Sequence, residues 1–272
     1  MHILFIGYGK TSRRVAEQLF QQDHQITTVS RSLKDADFTQ QLIQDVHQLD
    51  LSQIQPVDAV YVLLSPSQNT ALSSVEAYKQ TYIDSVQPIV HALKNHPVQR
   101  IIVVSSTRVY GENEGECITD DSVIIPSDEQ GNLLLQMEQL WQKAFVHECV
   151  IVRPTGIYGT SVARMVKLAE TTKNYPNIHW ENRIHIDDLA SFMVYLLHVE
   201  RAEKSYICSN SQPTALHETL QWFQRELDLP ELVLQGQNET GKRIAAERMV
   251  KSGYKLKHAS CLVDYRMLLD VR

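Results

Sequence analysis

Short apolar runs and amphipathic stretches follow one another from the first residues of the chain. The first run, His2–Ile6, predicts a strand, and the glycine turn of residues 7–12 follows it at once. Residues 26–29 are β-branched and predict a second strand, which ends at Ser30-Arg31. Between the turn and this strand, apolar side chains recur on one face of a predicted helix: Val15, Ala16, Leu19 and Phe20.

The same alternation continues through most of the chain. It predicts further strands at residues 42–46, 58–64, 100–105, 150–152 and 205–208, and helices at 73–93 (kinked at Pro88), 133–145, 162–171, 187–199 and 216–227, with a turn at 174–177. Strands that alternate with helices in this way predict an α/β fold, a doubly wound parallel sheet with right-handed crossovers.

The pattern loosens toward the C-terminus, which suggests a division of the chain. We expect residues 1–160, which residues 185–210 rejoin, to form the Rossmann domain. Residues 161–184 and 211–272 are expected to form a small C-terminal lobe on the substrate side.

The glycine turn has the spacing that a dinucleotide site requires. Gly7 and Gly9 allow a tight turn and the approach of a phosphate to bare backbone. Lys10, Thr11 and Ser12 open the helix whose N-terminus would face that phosphate. Ser12 replaces the third glycine of the usual motif and is able to cap the helix. We predict that these five residues bind a dinucleotide, although a first-turn lysine such as Lys10 is equally typical of a solvated surface.

Composition and charge exclude several other classes of protein. With a formal net charge of −6, the 272-residue chain has no general attraction to nucleic acid. The apolar patch at residues 192–197 is too short to span a membrane. The four cysteines form no C-x-x-C, and His217-Glu218 does not continue to H-E-x-x-H, so no disulfide framework and no metal site are expected. The first strand begins at residue 2, and we expect a cytoplasmic protein; a homodimer is left open.

Three later segments resemble a known family in their order and spacing. Residues 105–111 read SSTRVYG, residues 153–159 read RPTGIYG and residues 184–190 read IHIDDLA. They resemble the S-S-x-x-V-Y-G, L-R-P-x-x-I-Y-G and I-H-V-D-D-L-A segments of extended short-chain dehydrogenase/reductases, the nucleotide-sugar epimerase and dehydratase branch. The short G-x-G turn is similar to that of the atypical members. The resemblance implies a Rossmann fold, a nicotinamide dinucleotide and a small-molecule substrate.

The resemblance also implies further cofactor contacts. Asp45 and Val46 would flank the adenine, and Leu64 and Ser65 would lie along the ribose and the pyrophosphate. In addition, Ser105 at a strand end would contact the cofactor, and Pro154 would approach the nicotinamide.

The end of the second strand bears on the choice of cofactor. An NAD-specific site ends this strand with an acidic residue, which accepts from the ribose 2′-hydroxyl. This chain has Ser30, Arg31 and Ser32 there, and a guanidinium with two hydroxyls suits a 2′-phosphate. The sequence favours NADP, while NAD stays open because arginines also end strands as ordinary solvated charges.

The chain departs from the family at the catalytic positions. Gln130 and Leu134 occupy the places of the tyrosine and lysine that normally move the proton, and none of the eleven tyrosines has a lysine four residues later. Ser106 matches the hydroxyl that polarises the substrate oxygen, although such a hydroxyl also bonds local backbone. Tyr110 or Tyr158 could replace the missing tyrosine as proton donor.

A second departure concerns the substrate. Nucleotide-sugar epimerases often carry an arginine where this chain has Glu181, so Arg183 would have to hold an anionic group from two residues later. Gln130, Tyr158 and Arg183 are therefore the expected substrate contacts.

Two hypotheses of function result. The first is an NADP-dependent oxidoreductase or epimerase that acts on a carbonyl or sugar-like molecule, with Ser106 and Tyr110 as catalytic candidates. The alternative is a module on the same scaffold that binds or senses NADP(H) without turnover.

Overall fold

The computed structural model describes residues 1–66 and 72–271. Within them the strands are β1 His2–Ile6, β2 Gln25–Ser30, β3 Gln40–Ile43, β4 Ala59–Val62, β5 Arg100–Val104, β6 Glu114–Ile118, β7 Cys149–Pro154, β8 Gly156–Tyr158, β9 Asn174–Tyr175, β10 Ile178–Glu181, β11 Arg183–His185, β12 Ser205–Cys208, β13 Thr214–Ala215, β14 Val233–Leu234 and β15 Glu239–Ile244. The α-helices are α1 Lys10–Phe20, α2 Ser74–Tyr78, α3 Val86–Leu93, α4 Glu129–Ala144, α5 Ala163–Thr171, α6 Ile186–His198, α7 Leu216–Glu226, α8 Glu247–Lys251 and α9 Cys261–Asp270.

Contacts divide the chain into two compact units. The first, here the sheet unit, comprises Met1–Val109, Pro126–Arg153 and Leu189–Tyr206, and the remaining ranges form the lobe unit: Tyr110–Ile125, Pro154–Asp188 and Ile207–Arg272. Residues 110–125, 154–160, 185–188 and 207–210 thus group with the lobe unit, whereas the sequence prediction placed them in the Rossmann domain. Hydrogen bonding accounts for the difference, because β6 pairs with β15 and the backbone N–H of Thr155 donates to Cys208.

The predicted doubly wound parallel sheet is confirmed. Its strand order is β12-β7-β5-β4-β1-β2-β3, and β1 lies in parallel between β2 and β4. Every residue of β1 and β4 is buried, as expected for strands that helices cover on both faces. In the core, the rings of Phe5 and Tyr61 stack with their centroids 4.9 Å apart, and the Tyr61 hydroxyl donates to the carbonyl of Met193.

Two details of the sheet unit differ from the prediction. Val15, Ala16 and Leu19 of α1 are buried as expected, but Phe20 is 48% exposed and contacts Phe38 instead. The predicted third strand ends at residue 43, so Asp45 lies in the following loop, where its carboxylate caps a single 3-10 turn by accepting from the His47 N–H.

The predicted helix over residues 73–93 is interrupted, but not at its proline. A π-helical turn, Lys79–Ile83, separates α2 from α3. Pro88 is the third residue of α3. In the first turn of a helix the backbone N–H groups have no acceptor within the helix, so a proline there costs no helical hydrogen bond.

A buried ion pair joins α4 to β7. Nη2 of Arg153 lies 2.6 Å from Oε2 of Glu138, and the two side chains are only 5% and 2% exposed. A second bond runs from Nε of Arg153 to Oε1 of Glu138 at 3.0 Å. This geometry fixes α4, the helix that carries Gln130 and Leu134, on its neighbouring strand.

The lobe unit has a small mixed sheet and a helical core of its own. The sheet order is β13-β10-β15-β6, and two separate strand pairs are β8 with β11 and β9 with β14. The turn predicted at 174–177 is wrong in its first half, because residues 174–175 form β9 and pair in parallel with β14. Val166, Leu220, Phe223 and Tyr265 pack together in the core of α5, α7 and α9. No helix among the described residues of either unit is both long and apolar enough to cross a membrane.

Candidate functional site

A cavity of about 500 Å³ opens in the sheet unit beyond the carboxyl ends of β1 and β2. This is the edge at which open α/β sheets bind their ligands. The cavity is lined by nine of the predicted cofactor residues: Gly7, Gly9, Ser30, Arg31, Ser32, Asp45, Val46, Leu64 and Ser65.

The glycine turn has a separate requirement at each glycine. Gly7 has a φ of +88°, and a Cβ there would lie 2.3 Å from the carbonyl oxygen of Leu63, so a side chain is excluded. Gly9 caps α1, and a Cβ there would meet nothing within 4 Å. The helix N-terminus therefore faces open space in which a phosphate fits.

Ser12 stabilises the glycine turn through hydrogen bonds to its backbone. Its hydroxyl donates to the carbonyl of Gly7 at 2.9 Å and accepts from the N–H of Gly9, and the residue is 1% exposed. Lys10, Thr11 and Ser12 are absent from the lining of the cavity. The structure thus gives Ser12 the capping role that the sequence suggested, within the turn.

Two cations lie at the end of β2. Arg31 was predicted there, and Lys34 lines the same cavity although sequence reasoning missed it. Nζ of Lys34 donates to the Ser32 hydroxyl at 3.0 Å. The signal for Lys34 was available, because a lysine three residues beyond Arg31 on a short loop reaches the same site.

A carboxylate on the wall of the same cavity, that of Asp45, is already engaged. Asp45 accepts from the backbone N–H of His47, and its Oδ1 lies 2.6 Å from Nδ1 of the same histidine. The backbone N–H and the ring of His47, with a smaller contribution from the charge of Arg31, hold the pKa of the Asp45 carboxyl below its ordinary value. Asp45 therefore lines the cavity as a carboxylate whose Oδ1 is already bonded to His47.

Three buried hydroxyls in the sheet unit have no hydrogen-bond partner among the described residues: those of Tyr8, Thr28 and Ser105. Tyr8 lies between the two glycines and lines the cavity, and burial raises its pKa to about 12. A buried hydroxyl without a partner costs about 1–3 kcal/mol, which a bound molecule would relieve. The open helix terminus, the cation pair and the Tyr8 hydroxyl fit a dinucleotide. Sequence reasoning assigned Ser105 to the cofactor and missed Tyr8.

The predicted catalytic residues are less accessible than expected. Oγ of Ser106 accepts from the backbone N–H of Arg108 at 3.2 Å, which is the local structural role of such a hydroxyl. Tyr110 belongs to the lobe unit and is 1% exposed. Leu134 is 2% exposed in the core, so the position of the usual lysine holds no titratable group, and Gln130 lies half-buried in the first turn of α4.

In the lobe unit, the arginine that was expected to bind an anionic group of the substrate already has a partner. Arg183 forms an ion pair with Glu181. Glu181 occupies the position at which the family often has an arginine. Further along, Nζ of Lys242 donates to the carbonyl of Tyr110, and Nε of Arg243 donates to that of Gly115. These three basic side chains therefore serve the structure of the unit itself.

A network of hydrogen bonds that sequence reasoning missed surrounds Tyr158. The Tyr158 hydroxyl donates to Oδ2 of Asp264 at 2.5 Å, and Oδ1 of the same carboxylate lies 2.8 Å from Nδ1 of His258. The ring of His258 stacks on that of His185, with centroids 3.6 Å apart. Asp264 and His258 lie in the mixed C-terminal tail, where no motif marks them.

The two aspartates of the IHIDDLA segment have separate roles. Asp188 is fully buried and accepts from the backbone N–H groups of Lys257 and His258 and from the Tyr254 hydroxyl. The backbone N–H of Asp187 donates to Nδ1 of His185. Burial and, after it, the nearby His258 lower the pKa of His185, which favours its neutral form.

His185, Asp187 and His258 each offer an atom able to bind a metal ion, and these atoms lie within 4.8 Å of one another. The stacking of the two rings argues against a shared ion. The lone pairs lie in nearly parallel planes, and an ion about 2.0–2.1 Å from both nitrogens would sit far outside both planes. The arrangement fits a metal only after the rings rotate apart.

Taken together, the parallel sheet, the glycine turn and the cavity define a dinucleotide-binding Rossmann protein. Residues 7–200 match the family model described as NAD(P)H-binding, so the chain belongs to the NAD(P)H-binding family. No curated protein matches the sequence.

Solved structures agree with this assignment. A protein of the NAD-dependent epimerase/dehydratase type from Methylobacillus flagellatus is 27% identical, with a TM-score of 0.80 over 99% of this chain and 98% of that one. The chain is also similar in fold to UDP-glucuronic acid 4-epimerase from Bacillus cereus in complex with NAD (19% identity, TM-score 0.76, 97% and 93% covered). The human epimerase family protein SDR39U1, solved with NADPH, is similar in fold as well (17% identity, TM-score 0.77, 99% of each chain covered). The predicted resemblance to atypical short-chain dehydrogenase/reductases is confirmed.

Proposed function

We propose that the protein prefers NADP(H) and uses it as an oxidoreductase or epimerase on a carbonyl or sugar-like small molecule. The observation that carries the cofactor preference is the pair of cations, Arg31 and Lys34, on the cavity wall at the end of β2. A 2′-phosphate would accept charge-assisted hydrogen bonds from both, and the Ser32 hydroxyl lies between them in sequence.

The proposed reaction uses the ordinary chemistry of this cofactor. A bound nicotinamide accepts hydride from the substrate or returns it. The protein would hold the diphosphate at Gly9 and the N-terminus of α1, and the 2′-phosphate at Arg31 and Lys34. The buried Leu134 supports the expectation that the proton is moved by a residue other than the usual tyrosine and lysine.

The cofactor preference is tested by titrating the protein with NADPH and with NADH while nicotinamide fluorescence is followed. Arg31→Asp should weaken NADPH binding by roughly 10- to 100-fold, about the value of one or two charge-assisted hydrogen bonds. Binding of NADH should change little.

Arg201→Asp is the matched control. Arg201 is an exposed arginine of the same unit and is not part of the cavity wall, so both affinities should stay as in the wild type. If Arg31→Asp weakens NADPH and NADH equally, Arg31 does not recognise the 2′-phosphate and the preference for NADP is wrong.

One observation favours the alternative of a binding module without turnover. The position of the catalytic lysine is a leucine in the core, and the nearby Ser106 hydroxyl bonds local backbone. A screen of alcohols, ketones and sugars at the nicotinamide absorbance band, supplemented by product analysis for epimerisation, decides between the two. One confirmed catalytic cycle excludes the non-catalytic module.

A further inference from the structure

We propose that His47 is a positioning residue that holds the cofactor cavity of the sheet unit as an imidazolium, so that a dinucleotide binds more tightly when this ring carries both protons. This role rests on the proposed function, in which the cavity binds the cofactor. Every residue involved belongs to the sheet unit.

The ring of His47 joins two segments of the cavity wall. One is the 3-10 turn Val46–Gln48, and the other is the π-helical turn Lys79–Ile83. Nε2 of His47 lies 3.1 Å from the backbone carbonyl oxygen of Gln80, and Nδ1 lies 2.6 Å from Oδ1 of Asp45. The contact with Gln80 spans 33 residues of sequence, so the ring is a tertiary link within the wall.

Both of these neighbours of the ring are hydrogen-bond acceptors. A carboxylate and a backbone carbonyl have no hydrogen to donate, and a neutral imidazole has a single N–H. The neutral ring therefore satisfies one of the two contacts, whereas the imidazolium satisfies both. Burial lowers the pKa of His47, but its hydrogen bonds to Asp45 and Gln80 and the charges of Asp45 and Asp84 outweigh burial and raise the pKa above its ordinary value.

Protonation of His47 also decides the charge of this part of the wall. The imidazolium and the Asp45 carboxylate together have no net charge. When the ring is neutral, the carboxylate leaves a negative charge on the wall of a cavity in which the cofactor would have its phosphates. Arg31 lies on the same wall, and its charge contributes less to the lowered pKa of Asp45 than the hydrogen bonds from His47 do.

The other charged groups around the 3-10 turn have partners or are exposed. Asp84, which follows the π-helical turn, is paired with Lys79, with Nζ and Oδ1 2.7 Å apart. The helix α3 also packs on the 3-10 turn, and its titratable side chain, His91, is exposed. Asp45 is therefore the charged group that the ring contacts directly.

Cofactor binding and protonation of the ring should strengthen each other. The phosphates of a bound dinucleotide favour the imidazolium, because opposite charges attract. Thermodynamic linkage then requires that protonated His47 increases the affinity for the dinucleotide by the same factor. The imidazolium also keeps the two wall segments joined before the ligand arrives, which lowers the cost of ordering them. Affinity should therefore rise as the pH falls through the range in which the ring titrates.

The test measures the affinity for NADH by nicotinamide fluorescence at pH 8 and at pH 6. NADH is the appropriate probe because it lacks the 2′-phosphate, which itself titrates near pH 6. One pKa unit corresponds to a tenfold change in affinity, and the His47 side chain is 42% exposed, so the wild type should bind NADH roughly threefold to tenfold more tightly at pH 6. His47→Gln, which keeps a hydrogen-bonding side chain that does not titrate, should bind NADH equally at both pH values.

His91→Gln is the matched control. It removes an exposed histidine of the same unit that is not part of the cavity wall, so the pH dependence should stay as in the wild type. If His91→Gln loses the pH dependence as well, the effect does not come from His47 and the inference is wrong.

A second measurement needs no variant. Proton–carbon correlation spectra follow the His47 ring of the wild type through a pH titration, with and without saturating ADP-ribose. The midpoint of the ring should move to higher pH by roughly half a unit to one unit when ADP-ribose is bound. An unchanged or lower midpoint would overturn the inference whether or not His47→Gln folds.

The outcomes separate the two proposals. NADH affinity that does not rise in the wild type as the pH falls, or that rises equally in His47→Gln, overturns this inference and leaves the proposed function standing. Equal weakening of NADPH and NADH by Arg31→Asp overturns the proposed preference for NADP and leaves the role of His47 standing. A protein that binds neither dinucleotide at either pH overturns both.

Discussion

Single residues in this protein are specified by contacts that their neighbours in sequence do not reveal. Gly159 belongs to the RPTGIYG segment, yet the reason for a glycine there is the ring of His185. At a φ of +104°, a Cβ on residue 159 would lie 2.2 Å from Nε2 of that ring. The glycine is part of the segment that resembles the family, but the histidine that requires it is 26 residues away in the chain.

Gly159→Ala should therefore destabilise the lobe unit by more than backbone strain alone. Strain at positive φ costs about 1–3 kcal/mol, and the collision with the His185 ring adds to it. Gly253→Ala is the control, because Gly253 also has positive φ but a Cβ there meets nothing within 4 Å. Urea unfolding of both variants measures the difference. Equal losses of unfolding free energy would show that the ring yields to the methyl group without cost.

At the scale of elements, local pattern located most strands and helices but not the bonds that join them. The sequence puts Leu134, Met137, Leu140 and Trp141 on one face of the helix that became α4; three of them are buried, and Leu140 is half-buried. The ion pair of Glu138 with Arg153 was not predicted, because a pair between a helix and a strand depends on how the two elements pack. The interruption between α2 and α3 was also misplaced, since Pro88 suggested a kink where α3 in fact begins.

The buried pair of Glu138 and Arg153 gives a test at this scale. Glu138→Gln leaves a buried guanidinium without its anion, and such losses cost about 3–5 kcal/mol. Glu17→Gln removes the partner of Arg13 in an exposed pair on α1 and should cost about 0.5 kcal/mol or less. Chemical denaturation compares the two variants with the wild type. Similar small losses in both would mean that the guanidinium finds another partner.

At the scale of the whole molecule, the two units carry different chemistry. The sheet unit holds the dinucleotide cavity, and the lobe unit holds a cluster of histidines and carboxylates. His185 lies in this cluster with a lowered pKa, of which burial is the main cause and His258 the next. Three carboxylates act in the opposite direction: Asp187, Asp264 and Asp188.

This shift makes stability depend on pH with a defined sign. Because the folded pKa of His185 lies below the unfolded value of 6.5, the unfolded chain binds the proton more tightly. Stability is therefore retained above pH 6.5 and lost as the pH falls through the folded pKa. The melting temperature should decline as the pH falls from 7 to 5, and it should decline less steeply in His185→Asn. An equally steep decline in His185→Asn would assign the effect to other groups.

The sequence by itself determined the class of fold, the glycine turn and about half of the cavity wall. The fold and the turn follow from short-range rules: apolar periodicity and the need for glycine next to a phosphate. Arg31 was identified from the end of the second strand, because the carboxyl ends of parallel strands meet at one edge, and Asp45 from the family resemblance.

Only the tertiary structure decided which polar groups are free and which are engaged. It paired Arg183 with Glu181 and Tyr158 with Asp264, and it brought His258 onto His185. Hydrogen bonds and ring stacking act over a few ångströms in space without regard to separation along the chain. Residues 158, 185, 258 and 264 meet only because the lobe folds, and no local pattern encodes that meeting.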